Sequence, residues 1–262
     1  MTEESKYTPI YAEKIVLADL QNWKKSSNKP ISRILDFGCG NGHFTQNFTK
    51  LATQVCGCDI DTEKIKSAKK VLGIKFNSIS PSEKTKYPSN FFDCVTMMGV
   101  LEHVASEEDT LKEIYRILKP GGFLYLYILN KGLFGIFDSG NFKFAFPKLH
   151  KLIYFVVFGK QAYRSEFVSK KKKKMLGDFT LGKNWHTHYS LKDVKDLTKE
   201  RFTIIRHWHY SLMLPLLLIM EFFVVVLFKK RSKILSKIIY LDNKIDAGDL
   251  SYSLVVKLKK SK

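Results

Sequence analysis

The residues best able to do chemistry cluster in one stretch, Ile34-Leu35-Asp36-Phe37-Gly38-Cys39-Gly40-Asn41-Gly42-His43-Phe44. An apolar run ends at an acid, glycines then alternate with other residues, and Phe44, Phe48 and Leu51 recur at helical spacing. The pattern predicts a strand, a tight loop and a helix N-terminus. Glycine reaches backbone angles closed to other residues and lets a ligand lie against the main chain. N–H groups at a helix start would face that ligand. Such a loop suits a nucleotide-like cofactor. A second strand-like run, Gln54 to Cys58, ends at Asp59, at the separation where an acid meets ribose hydroxyls.

The glycine spacing narrows the cofactor. A dinucleotide loop reads G-x-G-x-x-G/A, and its third small residue packs helix against strand. Counted from Gly38, that position is His43, which is too large. The spacing here is G-x-G-x-G, preceded by Asp36.

This loop, with Gly57-Cys58-Asp59-Ile60-Asp61 downstream, resembles the class I S-adenosylmethionine-dependent methyltransferases of the ubiquinone/menaquinone-biosynthesis-like, type 11 group. Phe92-Asp93-Cys94-Val95 through Val100-Leu101-Glu102-His103-Val104 resembles that family's fourth strand and following loop. Leu111 to Gly122 resembles the helix and turn before its fifth strand. The ordered matches run from Ile34 to Asn130, roughly half the chain.

The resemblance implies S-adenosyl-L-methionine as cofactor. Asp36, Gly38, Cys39, Gly40 and Gly42 would shape the pocket for its methionine portion, with Gly99 in the loop after the fourth strand. Asp59 would accept from the ribose hydroxyls, and Ile60 would offer adenine an apolar face. Many relatives carry an acid just after the third strand. Here Ser80 is the nearest equivalent and Glu83 a distant second, which weakens the adenine contact expected of this loop. His103 fills a position that is His in many relatives with different acceptors, so it is a candidate base or a residue that closes the pocket. His186 and His188, in Asn184-Trp185-His186-Thr187-His188-Tyr189, are the other candidate bases, since histidine titrates near neutral pH. They could equally form a polar hinge. No third ligand accompanies them, so no metal is expected.

The implied fold is α/β: a Rossmann-like, doubly wound seven-stranded sheet with strand seven antiparallel, plus two helical insertions. Residues 1–262 read as one domain. Tyr11 to Trp23 forms a leading helix, in the family one that covers the cofactor site. Asp61 can cap a helix carrying Ile65, Ala68 and Leu72. Strand three is expected at Ile74 to Ser78, strand four at Phe92 to Met98, and strand five at Phe123 to Leu129 after a Pro120-Gly121-Gly122 turn. Glu107 to Leu118 is an amphipathic helix. Ser190 and Asp193 resemble a capping box ahead of Leu191, Val194 and Leu197. Phe202 to Trp208 and Ser251 to Lys259 complete the sheet, with His207 and His209 exposed at a strand end.

Residues 131–185 would be an insertion after strand five, forming an acceptor region. It holds the apolar segment Leu152 to Phe158 and the Lys170–Lys174 run. Residues 211–249 would be an apolar insertion between strands six and seven. Its run Leu212 to Phe228, broken by Pro215 and Glu221, only reaches the ~17-residue lower limit for a membrane crossing. The return segment Ile234 to Leu241 is far too short for a second crossing. An interfacial element flanked by basic residues is expected, with a buried helix or a dimer face as alternatives.

Lys and Arg number 44 against 25 Asp and Glu, a net charge of +19. Such a field attracts nucleic acid or anionic lipid, although a lysine-rich genome would leave the same balance. Lysine dominates, and lysine acts as a point charge where arginine reads phosphates and bases in bidentate fashion. The sparse cysteines, Cys39, Cys56, Cys58 and Cys94, form no C-x-x-C pair and fit a reducing setting. The first residues carry no apolar signal core. The expected protein is cytoplasmic, peripheral at the inner face of a membrane, and methylates a small, lipid-like or lipid-linked acceptor. A nucleic-acid methyltransferase is the alternative that charge favours. Against it, Met97-Met98-Gly99-Val100 stands where amino-group nucleobase methylases show Asp/Asn-Pro-Pro-aromatic. A non-catalytic, cofactor-binding membrane adaptor is the other.

Overall fold

The computed structural model describes residues 10–26, 31–70, 73–80, 84–138, 141, 145–163 and 186–261. Leu72, Glu83, Asn184, Trp185 and the Lys170–Lys174 run lie outside them. The chain divides into two compact units, one of residues 1–128, 194–207 and 255–262, the other of residues 129–193 and 208–254.

The first unit holds the body of a seven-stranded sheet in the order β3-β2-β1-β4-β5-β7-β6, with β7 antiparallel. The strands are β1 (Ile31–Phe37), β2 (Ala52–Asp59), β3 (Ile74–Ser78), β4 (Phe92–Met98), β5 (Leu118–Leu129), β6 (Phe202–Tyr210) and β7 (Ser253–Lys260). β1 pairs in parallel with both β2 and β4, so Asp36 lies beside Gly57 on one side and Thr96 on the other. Ile34, Leu35, Val95, Met97, Leu124 and Leu126 are fully buried, as central strands covered on both faces require.

Helix α1 (Tyr11–Ser26) buries Ala12, Val16 and Leu20. Its Asp19 accepts from Tyr125 Oη and Lys257 Nζ, each at 2.6 Å. Helix α2 (Thr62–Ala68) starts where Asp61 accepts from the N–H groups of Glu63 and Lys64. Helix α3 (Glu107–Ile117) is capped by Ser106, places three acids at its positive end, and buries Leu111, Ile114 and Ile117.

Two local expectations are corrected. The segment after the glycine loop is a 3-10 turn, Thr45–Lys50, and not an α-helix. Phe37 ends β1 and Ala52 starts β2, and the loop consumes half of the chain between them, so no longer helix fits. The Pro120-Gly121-Gly122 segment lies within β5 and is not a turn before it. Leu118 pairs with Phe92 and Phe123 with Cys94, so the intervening residues bulge, with Gly121 at φ +74°.

In the second unit, α4 (Pro147–Tyr163) is interrupted at Gly159, whose φ is +85°. Helix α5 (Leu191–Thr198) begins there with the expected capping box. Ser190 N–H donates to Asp193 Oδ2 at 2.7 Å, and Asp193 N–H donates to Ser190 Oγ at 3.2 Å. Helices α6 (Leu214–Phe228) and α7 (Lys233–Asp242) form a hairpin between β6 and β7. Its base is closed by Asp242, whose Oδ1 accepts from Leu212 and Met213 N–H. Among the described residues, no helix is long and apolar enough to cross a membrane. His207 is exposed as expected, but His209 is buried, with Nε2 3.7 Å from Asp249.

Candidate active site

The loop after β1 is held by backbone bonds to the end of β2. Gly38 and Cys39 N–H both donate to Cys58 O, at 2.7 and 3.0 Å, and Gly42 N–H donates back to Cys39 O at 2.9 Å. The glycines do different work. A Cβ on Gly38 would lie 2.3 Å from a Val100 methyl, and one on Gly42 would lie 2.7 Å from the Phe76 ring. Those two positions admit neighbouring side chains. Gly40, at φ +54°, has no atom nearer than Lys64 Cδ at 4.0 Å from where its Cβ would stand. Its open face is where a ligand can approach the main chain.

Asp59 ends β2 beside this opening. Its Oδ2 accepts from Gly40 N–H and its Oδ1 from Asp61 N–H, each at 2.8 Å. The carboxylate is thereby fixed through one bond per oxygen, leaving acceptor capacity on both oxygens for a diol. Asp36 is placed otherwise. It is buried, with Thr96 Oγ1 donating to Oδ1 at 2.9 Å and Thr45 Oγ1 to Oδ2 at 2.6 Å. Burial raises its pKa to about 6, against the lowering effect of those two hydroxyls. Asp36 therefore braces the loop from beneath and adds negative potential.

Ile60 is half-buried after Asp59. Ser80 lines a cleft of about 310 Å3 with Thr62, Ser78, Ile79, Lys84 and Lys86. Gly99, at φ +65°, follows β4 and donates its N–H to Tyr127 O at 2.9 Å. His103 closes the 3-10 turn Leu101–His103, beside the buried Glu102. Cys39, Cys56, Cys58 and Cys94 are free and buried, and burial pushes every one of these thiols up, so none is a ready nucleophile.

His186 and His188 belong to the second unit and share one acid there. Asp138 Oδ2 lies 2.8 Å from His186 Nδ1 and 3.3 Å from His188 Nε2, and Tyr252 Oη donates to Oδ1 at 3.1 Å. Asn141 clamps the segment that carries His186, accepting from His186 N–H at 2.7 Å and donating to His186 O at 3.0 Å. His188 packs against Gly135, where a Cβ would come within 2.9 Å of Nδ1. A histidine that donates one ring N–H to a carboxylate keeps its other nitrogen basic; that nitrogen is buried in His186 and packed against Gly135 in His188. No group of acids, histidines and cysteines fit to hold a metal occurs among the described residues. Asp138, Asn141 and Tyr252 were not foreseen. The available signal was composition: Asp138 is the only acid between Glu113 and Glu166.

Residues 35–126 match the family described as "Methyltransferase domain". This stretch is a methyltransferase domain. Its glycine loop, Asp59, Gly99 and His103 all fall inside the matched span. The chain is similar to a ubiquinone biosynthesis O-methyltransferase of Colwellia psychrerythraea, 33% identical over 106 residues, covering 38% of this chain and 43% of that protein. It is also similar to a ubiquinone/menaquinone biosynthesis C-methyltransferase of Vibrio cholerae, 28% identical over 150 residues, covering 50% of this chain and 57% of that protein. The chain thus spans about half the length of the curated relatives it matches. Among solved structures, a putative sarcosine dimethylglycine methyltransferase from Galdieria sulphuraria shares the fold, with a TM-score of 0.57, 14% identity, and coverage of 95% of this chain and 86% of that one. The matched span takes in the glycine loop and Asp59, whereas the Asp138 cluster lies beyond it.

Proposed function

We propose that this protein is an S-adenosyl-L-methionine-dependent methyltransferase acting on a small, lipid-like or lipid-linked acceptor, working from the cytoplasm at the inner face of a membrane. The observation that carries the reading is the open Gly40 face with the Asp59 carboxylate fastened across it. When bound, the cofactor supplies a sulfonium-activated methyl group. Asp59 would take the ribose hydroxyls, Gly40 would give the methionine portion an open main chain, Gly38, Cys39 and Gly42 would shape the loop behind it, and Asp36 would lend negative potential to a loop that receives a cation. Ile60 and Ser80 flank the adenine, and Gly99 leaves room at the end of β4.

The bound cofactor would supply a methyl group activated for in-line displacement, the bond to sulfur breaking as the bond to the acceptor forms. The protein contributes alignment, and a base where the acceptor carries a proton. His186 and His188 are assigned that base, oriented by Asp138, and His103 is assigned to closing the pocket. The lipid-like acceptor is supported by the two quinone-biosynthesis relatives, one an O- and one a C-methyltransferase by name. Exposed apolar side chains in the second unit support it too.

The test is incubation with cofactor labelled in the methyl group and a native membrane lipid extract. Label should move into the organic phase. Label appearing in added RNA and not in lipid would instead establish the nucleic-acid reading that the charge of +19 favours.

A further inference from the structure

Helix α6 is apolar all round yet poorly covered. Every side chain from Leu214 to Phe228 except Glu221 is apolar, while only Pro215 and Leu217 are buried. A helix of that composition belongs in a core or in lipid. Leu218, Met220, Phe223, Leu227 and Phe228 are exposed, the last two by 71% and 65%. In α7, Ile234, Ile238, Tyr240 and Leu241 are exposed as well.

The charges sort with this surface. The single acid of α6, Glu221, is withdrawn from solvent, its carboxylate 3.7 Å from Arg231 Nε. Lys229, Lys230 and Arg231 form the exposed turn after α6, and Lys233 and Lys237 follow on α7. Cations at a helix C-terminus also suit its dipole. Helix α4 repeats the theme in the same unit: Leu149, Leu152 and Val156 are exposed at one-face spacing, beside exposed Lys148 and Lys151.

We infer that the α6–α7 hairpin is a monotopic membrane anchor that lies in the surface of an anionic bilayer, apolar side chains in the acyl boundary and the Lys229-Lys230-Arg231 turn at the phosphates. Fifteen residues at 1.5 Å rise span about 22 Å, short of the ~30 Å hydrocarbon core, so the hairpin enters one leaflet and does not cross. A second copy is the poorer cover, because each copy carries +19 and brings the same basic turn to the contact. Anionic lipid supplies both the apolar phase and the countercharge. The inference goes beyond the proposed reaction and does not depend on it; if both hold, the anchor puts the enzyme where a lipid-soluble acceptor resides.

The experiment is co-sedimentation of the full chain with phosphatidylcholine vesicles, with and without phosphatidylglycerol, in the absence of cofactor and acceptor. The parent protein should partition onto the anionic vesicles. Lys229→Gln/Lys230→Gln should lower that partitioning about 30-fold, from two charges at roughly 1 kcal/mol each. Leu227→Gln/Phe228→Gln should lower it with the basic turn intact. As a check independent of these losses, Leu227→Cys carrying an environment-sensitive fluorophore should blue-shift on vesicle addition and be quenched by spin-labelled lipid. Cofactor affinity, measured separately, should be unchanged in every variant, so failure of the anchor and failure of the methyltransferase reading are distinct results. Equal partitioning of parent and variants would overturn the inference. So would an unquenched Leu227 label, or a concentration-dependent dimer abolished by Leu227→Gln/Phe228→Gln.

Discussion

Replacing Gly40 by alanine should separate ligand binding from folding. At φ +54° an alanine costs about 1–2 kcal/mol in backbone strain, partly offset by a stiffer unfolded chain. Its Cβ meets nothing nearer than the flexible Lys64 Cδ at 4.0 Å, so no packing cost is added. For a chain of this size the melting temperature should fall by only about 2–4 °C. On the proposed reading, however, the methyl would stand where the cofactor touches the main chain. Forcing one extra carbon into a filled contact costs about 1–3 kcal/mol, or a rise in Kd of about 5- to 150-fold. Gly42→Ala is the contrasting change. Its Cβ would sit 2.7 Å from Phe76 Cζ and 3.4 Å from Ala68 Cβ, so it should lower the melting temperature well beyond the Gly40 variant. Titration calorimetry with S-adenosylhomocysteine, paired with thermal melting, reads both effects. Parental affinity in Gly40→Ala would refute the assignment of that open face to the ligand, and a collapsed melting temperature would show that Gly40 is a packing residue after all.

Other outcomes follow from individual contacts. Asp59→Ala should reduce cofactor affinity at least about 100-fold by calorimetry, through loss of charge-assisted bonds at roughly 1.5–3 kcal/mol each, while circular dichroism stays native; unchanged affinity removes Asp59 from the site. Asp36 titrates near pH 6 in the folded chain and near 3.8 unfolded, so between those values the folded chain binds more protons and stability falls as pH rises. Urea unfolding should show a loss of about 3 kcal/mol from below pH 4 to above pH 6, absent in Asp36→Asn; the same slope in both proteins contradicts it. His186→Ala or His188→Ala should flatten the acidic limb of the pH–rate profile, where a general base loses its proton. Asp138→Asn should lower kcat about 10- to 100-fold with KM nearly constant and displace that limb; an unmoved limb makes the cluster purely structural.

Much of the first unit was legible because its strands are apolar runs that end in chemically marked residues. β3 and β4 fall at Ile74–Ser78 and Phe92–Met98 as expected, and Asp61 caps α2 as expected; in the second unit the Ser190 capping box also forms. The 3-10 turn at Thr45–Lys50 was misread because Phe44, Phe48 and Leu51 keep helical spacing even in a segment too short for a full α-helix. Pro120-Gly121-Gly122 misled for a related reason: turn residues can sit inside a strand when the partner strand tolerates a bulge. The distinct duties of Gly38, Gly40 and Gly42 depend on Val100 and Phe76, contributed by later strands and loops that no local pattern links to them. Asp138 meeting His186 and His188 is likewise a long-range contact, invisible to periodicity.

The central claim is that the Gly40 opening and the Asp59 carboxylate hold a sulfonium nucleoside. Native mass spectrometry of the purified protein, mixed with equal amounts of S-adenosylmethionine, NAD and FAD, addresses it directly. A single adduct with the mass of S-adenosylmethionine, lost in Asp59→Ala, is the expected result. A nicotinamide or flavin adduct with no sulfonium nucleoside bound would contradict it.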